Sequence, residues 1–313
     1  MKTVQASACA KVILFGEHAV VYGYPAVAIP VQDIRAFATI TKTHTNTPEI
    51  EADDLDLAFP LAEAKIPSSG HHIVQTIKLF SEHIGGLADT RWKLRVQSDI
   101  PISRGLGSGA AITVAILRAL SKFFEYPLTQ DDLVSISYEI EKMHHGRPSG
   151  IDNTVIALEK PILFQKQTEI SVLRPHQQHF VIGDTGIAKN TGDIVAEVAK
   201  KRERNQKYYD DVFQKIGQIA RDGFALLQKD ERVSLGKLMN DNQYLLERID
   251  VSSNELRRLI DAANQNGGLG AKLCGAGQGG CMVALAADET LAHAIAGALQ
   301  KAGAQQVFLT SLK

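Results

Sequence analysis

The stretch Pro101-Ile-Ser-Arg-Gly-Leu-Gly-Ser-Gly-Ala-Ala111 constrains this chain more than any other. Before it, Trp92, Leu94 and Val96 alternate with Lys93, Arg95 and Gln97; after it comes the nearly unbroken apolar run AAITVAILRALSKFF. The alternation predicts a half-buried strand ending near Pro101, and the run predicts a helix from Ser108 to Phe124 buried on most of its surface. A glycine turn feeding a helix aims backbone N–H groups and the helix N-terminus at one point, the geometry of an anion site. It also reads as a tight connection whose glycines supply φ > 0 and whose Ser108 caps the helix; the loop alone does not choose. No Gly-Lys-Ser/Thr triplet follows and the glycine spacing is not that of a dinucleotide fingerprint, so neither standard nucleotide fold applies.

A second glycine cluster lies between two strand-like runs, Ala271 to Cys274 and Cys281 to Ala286. Gly275, Gly277 and Gly280 match GxGxxG, yet the strand-like CMVALA follows where a dinucleotide site needs a helix. Such a turn permits close backbone approach to a ligand or another loop, or is an ordinary hairpin.

The remaining pattern alternates strands and helices. Residues 11–15 and 26–30 flank the polar turn Gly16-Glu17-His18, and 35–41 alternates like a further strand. A helix is expected over 68–84, and Thr129 with Asp132 forms a capping box for another, which Gly146 and Pro148 stop. Glu141 then sits in a last turn, where a carboxylate opposes the helix dipole and hints at another purpose. Short strands follow at 162–164 and 180–183, then a long helical region over 192–266, with Ser252 and Glu255 as a capping box and Gly267-Gly268 as a stop. A helix over 290–302 and a strand over 306–309 complete an α+β pattern. At 313 residues the chain exceeds what one core usually supports, so two domains are expected, with the break between 165 and 180.

Composition excludes several classes. Lys plus Arg is 34 and Asp plus Glu is 35, a net charge of −1, with no basic stripe for a phosphate backbone, so nucleic acid is not an expected partner. No apolar run approaches a membrane span of ~20 residues, and the N-terminus enters a strand-like segment without a charged leader, so a cytoplasmic chain is expected. Cys9, Cys274 and Cys281 are odd in number and fit small buried hydrophobes in a reducing compartment. The doublets His71-His72 and His144-His145 lack zinc-site spacing, and no structural metal is expected.

Three charged positions interrupt apolar or glycine-rich segments. Lys11 opens the strand KVILF, Glu17 and His18 form the turn after it, and Asp152 lies in HHGRPSGIDN. Each has a plain reading: Lys11 as a solvated strand end, His18 as a satisfied turn residue, Asp152 as an Asx-turn or helix cap. Together they supply candidates for phosphoryl transfer, which needs phosphate clamps, an oxygen-held metal and a group that orients the attacking hydroxyl.

Three segments in this order, KVILFGEHAVVYGYPAVA at 11–28, PISRGLGSGAA at 101–111 and KLCGAGQGG at 272–280, resemble the GHMP kinase superfamily across essentially the whole chain. That superfamily is named for galactokinase, homoserine kinase, mevalonate kinase and phosphomevalonate kinase. Within it, GEHAVVYG, HGRPSGIDN and Gly183-Asp184-Thr185-Gly186 look like the mevalonate kinase family, with phosphomevalonate kinases the nearest rival.

The resemblance implies a two-domain α+β fold. Residues 1–170 would form a ribosomal-protein-S5-like α/β domain and 171–313 a ferredoxin-like α+β domain. It implies ATP and Mg²⁺ as cofactors, the 5-hydroxyl of mevalonate as acceptor and a homodimer, with no nucleic-acid or membrane partner. Asp152 would be the catalytic carboxylate with Lys11 beside it, and Glu17, His18 and Thr185 would face the acceptor. Arg104, Gly105, Leu106, Gly107, Ser108, Gly109, Ala110 and Ala111 would wrap the ATP phosphates, and Gly275 to Gly280 would close the site from the second domain. Glu141 and Ser108 would hold Mg²⁺.

Two positions depart from the family pattern. Where GLGSSAA carries a second, metal-associated serine this chain has Gly109, and a water is expected in its place. Gln278 stands where glycine is common and is expected to point to solvent. A phosphorylated acceptor would need extra cations, for which Arg147 and Lys189 are the spares, and a non-catalytic regulator would have lost Asp152 or Lys11, both of which are present.

Overall fold

The computed structural model describes residues 2–61, 66–67, 70–87, 91–145, 148–166, 168 and 170–312, without the side chains of His144 and His145. The helix start expected at Ser68, the stop at Gly146, the spare cation Arg147 and the His144-His145 side chains therefore lie outside the described residues. The chain divides into two compact units, neither of them one continuous stretch. The first comprises Met1–Ala10, Ile34–Pro101 and Gly107–Glu159; the second comprises Lys11–Asp33, Ile102–Leu106 and Lys160–Lys313.

In the first unit, β1 (Thr3–Phe15) contributes its beginning and β2 (Ala26–Lys42) its end, so the strands expected at 26–30 and 35–41 are one. Ala36, Ala38 and Ile40 are buried while Arg35, Phe37 and Thr39 are half-exposed, the period-two signature of a sheet covered on one face. Two strands of four residues each, β3 (Glu49–Ala52) and β4 (Leu57–Pro60), escape sequence reading because so short a run shows little alternation. They form a hairpin, and β3 pairs in parallel with β5 (Trp92–Ser98), Ile50 opposite Leu94. β5 runs antiparallel to β2, with Val96 opposite Ala38 and Leu94 opposite Ile40.

The helices of this unit are α1 (His71–His83), α2 (Ser108–Phe123), α3 (Gln130–His145) and α4 (Ile151–Leu158). α2 packs on β5 and touches the other three, which is why nearly all of its surface is apolar. The expected capping box opens α3: Thr129 N–H and Oγ1 donate to Asp132 Oδ2 at 2.8 and 2.7 Å, and Asp132 N–H donates to Thr129 Oγ1 at 3.1 Å. At the far end of α4, Glu159 Oε1 accepts from Arg35 Nη2 at 2.8 Å, Arg118 Nη1 at 2.5 Å and the Cys9 N–H at 3.3 Å. One carboxylate thus ties α4 to β1, β2 and α2.

In the second unit, β6 (Ile162–Phe164) pairs with the start of β2, Ala26 opposite Phe164, and β7 (Ser171–Val172) extends it. A separate antiparallel sheet contains β8 (Gln178–Asp184), β9 (Gly270–Leu273), β10 (Cys281–Ala286) and β11 (Gln306–Leu312) in the order β11-β8-β10-β9. The region expected to be helical contains α5 (Thr191–Arg204), α6 (Gln206–Leu226), α7 (Arg232–Glu247) and α8 (Asn254–Gln265), and α9 (Glu289–Lys301) follows β10. Val181, Phe213, Ile216, Leu246, Leu259, Leu273, Met282 and Ile295 form their common core. The cap of α8 is Ser253, whose side chain accepts from the Leu256 N–H at 3.3 Å, one residue later than expected; Ser252 Oγ instead accepts from Gln243 at 3.0 Å. No helix among the described residues is long and apolar enough to cross a membrane. All three cysteines are free and buried, and burial pushes the thiols of Cys9 and Cys274 up to about 12, so both are inert at neutral pH.

Glu159→Gln keeps the shape of the α4 clamp but leaves two guanidinium groups facing a neutral amide. An expected loss of about 1–3 kcal/mol, reduced by their partial exposure, is read as a lower urea midpoint; an unchanged midpoint would refute the clamp.

Candidate active site

The polar turn after β1 is built by backbone geometry. Gly16 has φ 101°, and a Cβ there would lie 2.4 Å from Ala26 Cα, so only glycine lets β1 turn this close to β2. Glu17 and His18 follow, both buried, with His18 held at φ 61° before a short 3₁₀ turn at Ala19–Tyr22. His18 Nε2 lies 2.9 Å from the Ala276 carbonyl oxygen, which can only accept, so Nε2 carries the proton. Burial holds the His18 pKa below its ordinary value of 6.5 and keeps the ring neutral.

Glu17 is 1% exposed and forms an ion pair with Lys272, which is fully buried. Glu17 Oε2 also accepts from Asn242 Nδ2 at 3.4 Å, and Lys272 Nζ donates to the Leu273 carbonyl at 2.5 Å. Burial raises the Glu17 pKa above its usual value, and Lys272 opposes that shift. Lys272 was missed as a site residue, although a lysine inside the apolar strand AKLCG is itself a signal: a buried ammonium requires an anionic partner. Lys11 is equally enclosed at 2% exposure, which removes the solvated-strand-end reading, and its N–H donates to the Leu106 carbonyl at 3.0 Å.

The second glycine cluster is a hairpin between β9 and β10, as its strand-like flanks require. At Gly277, φ is +83° and a Cβ would lie 2.0 Å from the Val251 carbonyl oxygen, so the loop closes on backbone rather than on side chains. Gln278 does not simply face solvent: its N–H donates to the Val251 carbonyl at 2.7 Å and its Nε2 to the Asp250 carbonyl at 2.5 Å. At the end of β8 the N–H and Oγ1 of Thr185 both donate to the Gly280 carbonyl, at 2.9 and 2.8 Å, so this residue braces the hairpin. Arg104 Nε lies 3.3 Å from Asp184 Oδ2, while Asp184 Oδ1 accepts from the Gly186 N–H at 2.9 Å.

Of the other expected residues, Gly105 and Leu106 belong to the second unit, while Gly107 to Ala111, Glu141 and Asp152 belong to the first, on or at the start of three helices that pack on one another. Gly107, at φ 77°, is the N-cap of α2 and supplies no side-chain cap; Ser108 is the first helical residue, so its expected capping role is not what the structure shows. Gly109 is exposed, and a Cβ added there meets only His72 Cε1 at 3.8 Å, an ordinary contact. Asp152 is half-buried in the first turn of α4, where the helix dipole favours a carboxylate. Its neighbours are committed elsewhere: Asn153 Nδ2 donates to the Val134 carbonyl at 3.0 Å, and Thr154 Oγ1 to the Gly150 carbonyl at 2.6 Å. Glu141 is half-buried on α3, one turn before its end.

The chain matches the family model for the GHMP kinases N terminal domain over residues 71–160 and that for the GHMP kinases C terminal over residues 224–305. It is 35% identical over 300 residues to a mevalonate kinase of Pyrococcus abyssi, covering 91% of this chain and 89% of that one. A mevalonate kinase of Methanocaldococcus jannaschii is 32% identical over 293 residues, covering 89% and 90%. Among solved structures, L. major mevalonate kinase in complex with R-mevalonate superposes with a TM-score of 0.84 at 27% identity, covering 100% of this chain and 96% of that one. Streptococcus pneumoniae phosphomevalonate kinase, in complex with phosphomevalonate and AMPPNP, has the same fold at 20% identity, with a TM-score of 0.82 and coverage of 99% and 100%.

The two buried groups of the polar turn act on stability with opposite signs. Unfolded His18 takes up a proton near pH 6.5 that folded His18 refuses, so stability falls on acidification through that range, by at most about 1.4 kcal/mol per pH unit. Glu17, raised by burial, favours the folded chain at low pH and loses that contribution as pH rises above 4.5. His18→Asn, which tolerates positive φ, is expected to lose less stability than the native chain between pH 7 and pH 5.5. Parallel urea midpoints for the two proteins at both pH values would contradict a neutral buried His18.

Proposed function

The chain belongs to the GHMP kinases and, within them, to the mevalonate kinase family, and from that membership we propose that it transfers the γ-phosphoryl group of ATP to the 5-hydroxyl of mevalonate. The observation that carries the reading is Asp152: a carboxylate in the first turn of α4, beside residues whose own side chains are occupied in holding that turn. In this role Asp152 accepts or orients the proton of the attacking hydroxyl, and Lys11 stabilises negative charge as the phosphoryl group moves. Glu17 and neutral His18 bind the acceptor, with Lys272 holding Glu17 in place. The loop Gly105 to Ala111, leading into the N-terminus of α2, binds the ATP phosphates through its backbone N–H groups. The family matches end at residue 160 and resume at 224, on either side of the proposed domain boundary at 170/171. On the same reading the enzyme is a cytoplasmic homodimer.

The donor set suits Mg²⁺, which prefers oxygen ligands and retains water. Glu141 and Ser108 offer a carboxylate and a hydroxyl, and no group of three or more His, Cys, Asp or Glu among the described residues could hold a metal ion, so nucleotide phosphates and water would complete its shell. When bound, the ion neutralises charge on those phosphates. Gly109 supplies no ligand there, although the space beside it admits a serine.

ADP release is to be measured with ATP and Mg²⁺ against mevalonate, phosphomevalonate, galactose and homoserine. Turnover on mevalonate is expected, with Asp152→Asn reducing kcat by about 10²–10⁴-fold; turnover on another acceptor alone would overturn the assignment. Gly109→Ser is expected to lower the Mg²⁺ concentration for half-maximal rate, and an unchanged or raised requirement would argue against a missing ligand.

A further inference from the structure

The doublet His71-His72 has no part in the reaction as described so far, yet its second member reaches the start of α2. His72 stands in the first turn of α1, and its carbonyl accepts from Oγ1 of the buried Thr76 at 2.9 Å. Its half-buried ring meets the neighbouring helix: Nε2 lies 3.1 Å from the Gly109 carbonyl oxygen and 2.6 Å from Thr113 Oγ1. The carbonyl can only accept, so Nε2 carries the proton. Thr113 is buried, and its Oγ1 donates to the same carbonyl at 3.1 Å. One imidazole thus joins two points of α2 that lie a helical turn apart.

That turn is soft without such a clasp. Gly107 and Gly109 flank Ser108, and glycine has more backbone freedom to lose on ordering than any other residue. Gly107, the N-cap, has no side chain to bond the first N–H groups, which have no partners within the helix. Gly109 is exposed, its φ lies outside the left-handed region and a Cβ there makes only an ordinary contact, so nothing in its own conformation requires glycine. A nucleotide that binds to the N–H groups of such a turn must also order it, and that cost is subtracted from affinity.

We propose that His72 is a positioning residue for nucleotide binding: from α1 it clasps Gly109 and Thr113, so that the first turn of α2 is already formed when the phosphates of ATP arrive. The inference rests on that turn being the phosphate site, and it names the group that keeps the site ordered. His72, Gly109 and Thr113 all belong to the first unit. The histidine acts through the backbone of α2 rather than on the reacting atoms.

Binding of the non-hydrolysable ATP analogue AMPPNP with Mg²⁺, measured by calorimetry, tests the clasp independently of the acceptor. His72→Ala is expected to weaken this binding about threefold to tenfold and to raise KM for ATP in parallel, while KM for mevalonate changes less than about twofold. His72→Gln, which keeps a donor on a side chain of similar reach, is expected to stay within about twofold of the native protein. The decisive variant adds Gly109→Ala, which stiffens the turn from within. It is expected to return His72→Ala to within about twofold of native binding, yet to alter the native protein less than about twofold, because a turn already clasped has little freedom left to remove. Native circular dichroism is required of each variant. Unchanged AMPPNP binding in folded His72→Ala, equal losses for nucleotide and mevalonate, or no recovery with Gly109→Ala would overturn the clasp and leave the proposed function standing. A native chain that binds AMPPNP but does not turn over mevalonate would overturn the acceptor assignment alone, and one that binds no AMPPNP would overturn both.

Discussion

The second unit is organised around a charge pair that has almost no access to water. Glu17 and Lys272 come from opposite ends of the chain, one from the turn after β1 and one from β9, and both are sealed. Taking two such ions out of water is costly, and only close pairing with further hydrogen bonds offsets it. Asn242 on one side and the Leu273 carbonyl on the other supply those bonds. The arrangement leaves little freedom: displacing either element would leave an uncompensated buried charge. It sets where the turn stands, and from that follow the position of His18, its contact with the Ala276 carbonyl and the closing of the glycine hairpin against Val251.

The first unit uses a different device for a similar end. Its reactive candidates sit near helix beginnings or within one turn of a helix end, and the helices are held by features remote from those candidates. Glu159 binds Arg35, Arg118 and the Cys9 N–H at the C-terminal end of α4, while Asp152 occupies the N-terminal end. Charge is thus anchored at one end of a short helix, and Asp152 at the other end is half-exposed. α2 is likewise buried along its length, with its uncapped first turn carrying Ser108 and the exposed Gly109.

Positions where local reading was incomplete share a cause. Ser252 and Ser253 are both good cap residues, and which of them caps α8 depends on Gln243, a residue of another helix that engages Ser252. Gln278 looks like a tolerated insertion of side chain into a glycine loop until Asp250 and Val251 are brought against it. Thr185, which family resemblance places at the acceptor, also braces the glycine hairpin through its hydroxyl and the Gly280 carbonyl, a role local sequence does not show.

The sequence by itself determined the elements and the chemistry available to them. Period-two alternation marked β5 and the end of β2, short apolar runs marked β6 and β10, a longer one marked α2, Thr129 and Asp132 opened α3, and the strand following GAGQGG excluded a dinucleotide site. These are local signals, because hydrophobic periodicity and capping are satisfied within a few residues of backbone. Only the tertiary structure decided which polar groups are buried and with whom: Lys272 with Glu17, Arg104 with Asp184, His18 with Ala276. Those pairings join residues 80 to 258 positions apart. No local pattern encodes them, since the cost of desolvating a charge arises only when distant segments close around it.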